Sequence, residues 1–168
     1  VLVLDLGASN ENTGEQIAQF AEMGEVVYRN LRNKNDVDVY LLSNGSEDKK
    51  GCPEGKEAFK ILKEKEYNWF RGNMEAKDVL SGKANVVATG GYAGNVLLKS
   101  IEGTASLVGK VLKESLHMSI RTQIGAAIAK PALYEMKKRI NPAKGGGAFL
   151  VGCNKICVKG HGNSNAQT

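Results

Sequence analysis

The sequence has few of the residues that mark several classes of protein. It contains three cysteines, Cys52, Cys153 and Cys157. So small and odd a number argues against the disulfide framework of a secreted domain and favours a reducing compartment. No apolar run reaches the length of a membrane span, and no signal-peptide pattern is present. We therefore expect a cytoplasmic protein.

Aromatic residues are also scarce, with five tyrosines, four phenylalanines and one tryptophan. The formal net charge is +5, but the lysines are scattered rather than massed on one stretch. A mildly basic chain favours anionic partners. Without a basic patch and without aromatics to stack on bases, nucleic acid is not expected as a partner.

Apolar runs alternate with helical patterns along the 168 residues, a length suited to one domain. This alternation predicts an α/β fold with a mostly parallel sheet, in a single domain over residues 1–168. Buried strands are predicted at 1–4, 37–42 and 86–88, with a further short strand at 67–70 and a closing pair at 149–151 and 156–158. The first strand is expected to be central. Because the chain starts inside it without a methionine, we expect sequence to be missing upstream.

Helical patterns fill the segments between the predicted strands. Thr13 and Gln16 have the spacing of a capping box, and one apolar face follows from Ile17 to Leu31. In the next helix, Ala58, Phe59 and Leu62 are predicted to face inward; a helical turn follows at 76–80. Three later helices are predicted: from about Asn95 to Leu116, over 120–129, and from Pro131 to Arg139. Gly145 to Gly147 are predicted to form a flexible joint.

The most informative stretch is N-V-V-A-T-G-G-Y-A-G-N-V-L-L-K, residues 85–99. A short buried strand passes through Gly90, Gly91 and Gly94 into a helix for which Asn95 is the predicted N-cap. Such a turn can direct backbone N–H groups and a positive helix end at one anion. It matches neither common nucleotide-binding glycine motif, and a tight connection without a ligand remains an equal reading.

Ligands of parallel α/β sheets bind beyond the carboxyl ends of the strands. Three loops lie there in the predicted fold, following Leu4, Leu42 and Ala88. We expect them to bring Ser9, Lys50 and Asn95 to one crevice.

Motifs in these loops resemble the bacterial acyl–acyl carrier protein:phosphate acyltransferases of phospholipid synthesis, the PlsX family. The matching segments occur in family order and span nearly the whole chain. They are L-D-L-G-A-S, Q-F-A-E-M-G, K-K-G, F-R-G-N-M-E-A-K-D-V-L-S-G-K-A-N-V-V, G-Y-A-G-N-V-L-L-K-S-I-E-G, I-A-K-P-A-L, G-G-A-F-L-V-G and H-G-N-S-N-A. The resemblance implies the C-terminal half of an enzyme whose fold is similar to the isocitrate and isopropylmalate dehydrogenases, with a long projecting helical pair.

The resemblance also implies a reaction, in which inorganic phosphate attacks a fatty acyl thioester on acyl carrier protein. Lys50 matches the loop lysine of the family and would steady phosphate, and Asn95 would donate to the thioester carbonyl oxygen. Gly91 and Gly94 would present backbone donors. The terminal H-G-x-S-N motif, His161, Ser164 and Asn165, would line the same cleft. The family further implies a homodimer and a peripheral contact with the membrane surface, made by the helical pair.

No cofactor is implied, and no metal site is expected. Cys153, Cys157 and His161 stand four residues apart, but no fourth ligand accompanies them. A nicotinamide dehydrogenase is disfavoured because no acidic ribose-binding residue accompanies the glycines.

Four polar positions depart from the family pattern, which has an aspartate where this chain has Gly90 and asparagines at the positions of Ser9, Ser43 and Cys52. Two alternatives therefore stand beside the acyltransferase. One is a catalytically impaired homologue that binds carrier protein. The other is a short-chain phosphate acyltransferase that uses acyl-coenzyme A.

Overall fold

The structure is a computed structural model that describes residues 1–140 and 147–160. The chain divides into two compact units, Val1–Leu98 and Lys99–Thr168. The single domain expected from the sequence stays a prediction.

The first unit alternates strands and helices as the sequence predicts, and it is α/β. Its elements are β1 (Leu2–Leu4), α1 (Gly14–Arg32), β2 (Val39–Ser43), α2 (Pro53–Glu64), β3 (Phe70–Glu75), a short 3-10 turn (Ala76–Asp78), β4 (Val86–Ala88) and the start of α3 (Gly91–Leu116). The four strands lie in the order β1-β4-β2-β3, and every neighbouring pair is parallel. This confirms the predicted parallel sheet.

The core surrounds β4, whose three residues are completely buried. Helix α1 packs on one side of the sheet, where a Cβ added to Gly24 would lie 2.5 Å from Val86 Cγ1. The missing side chain thus lets the helix approach the strand closely. On the other side, Val87 packs with Met74, Val79 and Ala84.

Helix α1 begins as predicted. Thr13 accepts from the N–H of Gln16, and the Gln16 side chain accepts from the N–H of Thr13, which completes the capping box. Leu31, however, is exposed, so the inward face is shorter than the apolar pattern indicated.

Two strand predictions are corrected. β1 lies at an edge of the described sheet rather than in its centre, because β4 is its pairing partner on one side. The strand predicted at 67–70 is wrong, since β3 begins at Phe70 and ends at Glu75. Tyr67 and Trp69 instead stack on each other with centroids 4.4 Å apart.

Two helix predictions are also corrected. α3 begins at Gly91, four residues before the predicted N-cap Asn95. Pro131 does not separate two helices but lies inside α4 (Ile120–Ile140). A proline there removes one helical hydrogen bond, and the remaining bonds of this long helix carry it past that position.

The second unit holds the rest of α3, α4 and an antiparallel pair, β5 (Ala148–Leu150) and β6 (Cys157–Lys159), as predicted. Of the predicted glycine joint, only Gly147 belongs to the described residues. Many large apolar side chains of this unit are exposed: Leu107, Val108, Val111, Met118, Ile120, Ile124, Ile128, Tyr134, Phe149, Leu150, Ile156 and Val158. Over residues 1–140 and 147–160, no helix combines the length and hydropathy of a membrane-spanning segment.

Candidate functional site

The carboxyl ends of all four parallel strands lie at one edge of the sheet, which we call the carboxyl edge. The loops that follow β1, β2 and β4 start there, and each leads into a helix. The helices α1, α2 and α3 therefore direct their N-termini, with their partial positive charge, towards this edge. It is the place at which the sequence predicted a ligand site.

The loop after β1 is organised by the carboxylate of Asp5. Its Oδ1 accepts from the N–H groups of Gly7 and Ala8, both at 2.8 Å. Its Oδ2 accepts from the N–H of Ser9 at 2.8 Å and from the Ser9 hydroxyl at 2.6 Å. Burial acts to raise the pKa of the Asp5 carboxyl. The Ser9 hydroxyl and the three backbone donors outweigh that effect and hold the pKa below its ordinary value.

The glycine turn after β4 differs from the predicted anion cradle. The N–H of Gly91, the first residue of α3, donates to Asn12 Oδ1 at 2.9 Å. The N–H of Gly94 donates to the carbonyl oxygen of Gly90 within the helix, also at 2.9 Å. Both N–H groups expected to hold an anion are thus already used.

These glycines serve close packing instead. A Cβ at Gly91 would overlap the carbonyl oxygen of Ser9, and one at Gly94 would overlap the carbonyl oxygen of Asp5. α3 therefore starts directly against the loop after β1, at a distance that a side chain would prevent.

Asn95 lies in the second turn of α3 and is exposed. Its prediction as N-cap is wrong, because its backbone is already helical. Its side chain passes close to Gly7, where an added Cβ would lie 3.1 Å from Asn95 Cβ and 3.2 Å from Cγ. Gly7 has a positive φ of 106°, which also favours glycine. The structure thus brings Asn95 to the loop of Ser9, as predicted.

Lys50 lies in the loop between β2 and α2, and it is exposed. The carboxamide of Asn73, on the neighbouring strand β3, donates to the carbonyl oxygens of Glu47 at 2.8 Å and Lys50 at 3.4 Å. The Asn44 side chain accepts from the N–H of Gly51 at 2.9 Å. A side chain of the loop and one of β3 therefore hold the loop backbone at the carboxyl edge.

Helix α2 begins directly after Lys50 and Gly51. Cys52 is its N-cap and accepts from the N–H of Gly55 through Sγ at 3.4 Å, and Pro53 follows it. Sulfur is a weak acceptor. The positive end of α2 is therefore less fully capped than that of α1 or α3, and it lies next to Lys50. This arrangement suits an anion.

The predicted site residues are only partly assembled. Asn95 lies against the loop after β1, and Lys50 follows the neighbouring strand β2. In the described part of the chain no hydrogen bond or ion pair joins Lys50 to Asn95. The predicted residues His161, Ser164 and Asn165 lie outside the described residues.

Three of the four positions that differ from the family pattern have distinct surroundings. Ser9 is fully engaged with Asp5 and Asn12, and Cys52 caps α2. The Oγ atom of Ser43 is buried and has no hydrogen-bond partner among the residues that the structure describes. It lies beside Gly51, 3.4 Å from an added Cβ there.

Three important residues were not identified from the sequence. Asp5 carried a recognisable signal, since an aspartate directly after a strand and two residues before a glycine commonly closes a turn. Asn12 and Asn73 carried none, because their partners lie 79 and 26 positions away in the chain.

A cavity of about 340 Å³ lies at the opposite edge, where the strands begin. Glu25, Arg29, Asn35, Asp36, Asn68 and Trp69 line it. It contains none of the predicted site residues. Over residues 1–140 and 147–160, no cluster of three or more histidine, cysteine or acidic side chains could hold a metal ion.

Comparison with known proteins agrees with the motifs. The model of a family described as "Fatty acid synthesis protein" matches residues 1–168. A phosphate acyltransferase of Lactobacillus gasseri is 45% identical over 166 residues, which cover 98% of this chain and 50% of that protein. The phosphate acyltransferases of a Geobacillus species and of Lactococcus lactis are 45% and 43% identical and cover 99% and 97% of this chain. The chain spans about half the length of these curated relatives.

Proposed function

The chain belongs to the fatty acid synthesis protein family, and from this membership we propose that the full-length protein is a phosphate acyltransferase. It transfers a fatty acyl group from acyl carrier protein to inorganic phosphate in phospholipid synthesis. The relatives named phosphate acyltransferase at 39–45% identity are the observation that carries this proposal. This chain supplies one half of the enzyme, the C-terminal one by its motifs.

The reaction needs little acid–base assistance. A phosphate oxygen attacks the thioester carbonyl carbon, the new C–O bond forms, and the C–S bond breaks with departure of the carrier thiolate. Phosphate is already anionic at neutral pH, and a thiolate is a good leaving group. The enzyme must mainly bind the anion, align it with the thioester and stabilise the oxyanion that develops.

Lys50 is the residue proposed to bind phosphate and to balance the developing charge. Support comes from its exposed position next to the N-terminus of α2 and from the hydrogen bonds of Asn73 that hold its loop. A cation held beside a helix N-terminus gives an anion two favourable interactions at once.

Asn95 is proposed to donate its side-chain N–H to the thioester carbonyl oxygen. Its exposure on the second turn of α3 leaves the carboxamide accessible, and its packing against Gly7 limits its movement. Gly91 and Gly94 are proposed to belong to the same site because their lack of a side chain lets α3 pack against the loop after β1. Their N–H groups already donate within the protein. His161, Ser164 and Asn165 are proposed from the resemblance to line the cleft.

We extend the proposal to assembly and location. The sheet is proposed to be of the isocitrate and isopropylmalate dehydrogenase type. The exposed apolar side chains of α3 and α4 support a homodimer and a peripheral contact of a cytoplasmic enzyme with the membrane, through a projecting helical pair.

The proposal is tested with the purified full-length protein, phosphate and two thioesters of the same fatty acid, one on acyl carrier protein and one on coenzyme A. The expected result is acyl phosphate and free carrier thiol in equal amounts, with the carrier thioester preferred. Preference for short acyl-coenzyme A would instead identify the short-chain enzyme. A folded protein that forms no acyl phosphate would contradict the proposal.

Two observations favour a second candidate, an impaired homologue that binds carrier protein without turnover. Gly90 offers no side chain at the start of α3, and Ser43 leaves a buried hydroxyl unpaired in the described structure. The same assay separates the two when binding of carrier protein is measured beside it, because the second candidate binds carrier protein and produces no acyl phosphate.

A further inference from the structure

Helix α3 receives its N-terminal cap from a residue 79 positions earlier in the chain. Residue 90 directly precedes the helix, but as glycine it has no side chain with which to cap it. The carboxamide of Asn12 takes that role through Oδ1, 2.9 Å from the N–H of Gly91. A Cβ added to Gly90 would lie 3.3 Å from this same Oδ1 atom. The two positions therefore compete for one space at the start of α3.

The surrounding hydrogen bonds fix the orientation of the Asn12 carboxamide. The Asp5 carboxylate can only accept, so the single proton of the Ser9 hydroxyl is directed to Asp5 Oδ2 at 2.6 Å. Ser9 Oγ is then left to accept from Asn12 Nδ2 at 2.8 Å. With Nδ2 engaged in this way, Oδ1 faces Gly91. Each group thus donates to the next, from the Gly91 N–H through Asn12 and Ser9 to the Asp5 carboxylate, which is the final acceptor.

The cap lies on the same loop that the first two turns of α3 contact. Gly94 packs so closely on the carbonyl oxygen of Asp5 that a side chain would overlap it, and Asn95 packs on Gly7. The first two turns of α3 thus rest on the loop that carries Asp5 and Asn12. Loss of the cap would free the helix start and move the Asn95 carboxamide, which is exposed and lacks a hydrogen-bond partner in the described residues.

We propose that Asn12 is a positioning residue that caps α3 in place of residue 90 and so holds Asn95 in its reactive position. The catalytic part of this inference rests on the proposed acyltransferase function, whereas the capping part does not. It predicts that the effect of an aspartate at position 90 reverses when Asn12 is removed. An aspartate at 90 is harmful while Asn12 is present, because its side chain would crowd Oδ1, and it is beneficial once Asn12 is removed, because aspartate is itself a good N-cap.

The test uses the full-length protein with Asn12→Ala, Gly90→Asp and the double variant. Hydrogen exchange is followed at the N–H of Gly91, which Asn12 caps, and at those of Tyr92 and Ala93, which a cap at residue 90 would serve, beside kcat and KM for the carrier thioester. Asn12→Ala is expected to accelerate exchange about fivefold or more and to lower kcat about tenfold with KM little changed. Gly90→Asp alone is expected to lower kcat as well. In the double variant, kcat is expected to recover, and exchange is expected to slow at Tyr92 or Ala93, because an N-cap side chain accepts from the second or third N–H of its helix.

Two controls separate positioning from general stability. Asn10→Ala, in the same loop, should leave the exchange of Gly91 unchanged, because Asn10 is exposed. Adding Gly109→Ala to Asn12→Ala should raise helix stability without restoring kcat, since a Cβ there has no neighbour within 4 Å.

The cap, the positioning role and the proposed function are each contradicted by a different result. Unchanged exchange at Gly91 in Asn12→Ala would overturn the cap. A lost cap with unchanged kcat, or recovery of kcat through Gly109→Ala, would overturn the positioning role. If the unaltered protein forms no acyl phosphate, the proposed function fails, and the exchange pattern of the four proteins still supports or overturns the cap.

Discussion

Asn73 Nδ2 lies 2.8 Å from the carbonyl oxygen of Glu47, so a side chain on β3 holds the loop that carries Lys50. Asn73 is buried, with 7% of its surface exposed, and its carboxamide also donates to the Lys50 carbonyl oxygen. The conformation of a surface loop is thus set from inside the sheet. The exposed lysine has a fixed backbone although its ammonium group is free to meet a ligand.

Replacing Asn73 with alanine should therefore loosen the Lys50 loop. We expect the free energy of unfolding to fall by about 1–3 kcal/mol, because two backbone carbonyl groups lose a buried donor. The KM for phosphate should rise more than kcat falls, since binding of the anion depends on the loop. Asn68→Ala is the matched control on an exposed asparagine and should change the unfolding free energy by less than about 0.5 kcal/mol. Equal losses for the two variants would contradict the role of Asn73.

Replacing two different glycines of α3 with alanine should change the free energy of unfolding in opposite directions. Gly94→Ala places a Cβ on the carbonyl oxygen of Asp5 and should destabilise the protein by about 1–3 kcal/mol or more. Gly109→Ala meets no atom within 4 Å and should stabilise the helix by about 0.5–1 kcal/mol through its higher helix propensity. Denaturant unfolding of the full-length protein measures both, and a stabilising Gly94→Ala would show that α3 does not rest on the loop.

Acid should weaken the loop after β1 through Asp5. The pKa of this carboxyl is lower in the folded than in the unfolded protein, so the folded state binds fewer protons. Its contribution to stability is complete above the unfolded pKa of about 3.9 and is lost as the pH falls through the lower folded value. A carbon-13 NMR titration should give Asp5 a pKa below that of an unstructured aspartate. In Asp5→Asn, the fall in stability over this acid range should be smaller, and a titration at or above the ordinary value would exclude the carboxylate network.

The sequence predicted the parts of the fold that follow from local pattern. The apolar run at β4, the capping box at Thr13 and the inward face of α2 all depend on neighbours a few residues apart. The strand–helix alternation predicted that Lys50 and Asn95 follow two parallel strands, and the structure places Lys50 after β2 and Asn95 in the second turn of the helix after the neighbouring strand β4.

The remaining features depend on contacts between distant segments. The start of α3 was placed four residues late because Asn12, not a residue of the turn, supplies its cap. The sequence predicts that the glycines present backbone donors to an anion, whereas their contacts with Asp5 and Ser9 show that they allow close packing. Pro131 was expected to end a helix, but α4 continues through it. In the first two cases a local preference is outweighed by a distant partner that the sequence pattern does not reveal, and in the third by the remaining hydrogen bonds of a long helix.

The most direct test compares two adjacent lysines in the full-length protein. The rate of acyl phosphate formation from acyl carrier protein thioester and phosphate is measured for the unaltered protein, Lys50→Gln and Lys49→Gln. Loss of one charged group that stabilises the reacting phosphate and oxyanion should lower kcat/KM about 100-fold in Lys50→Gln. Lys49→Gln, an exposed neighbour, should stay within about twofold. Equal rates in Lys50→Gln and the unaltered protein would contradict a site built around Lys50.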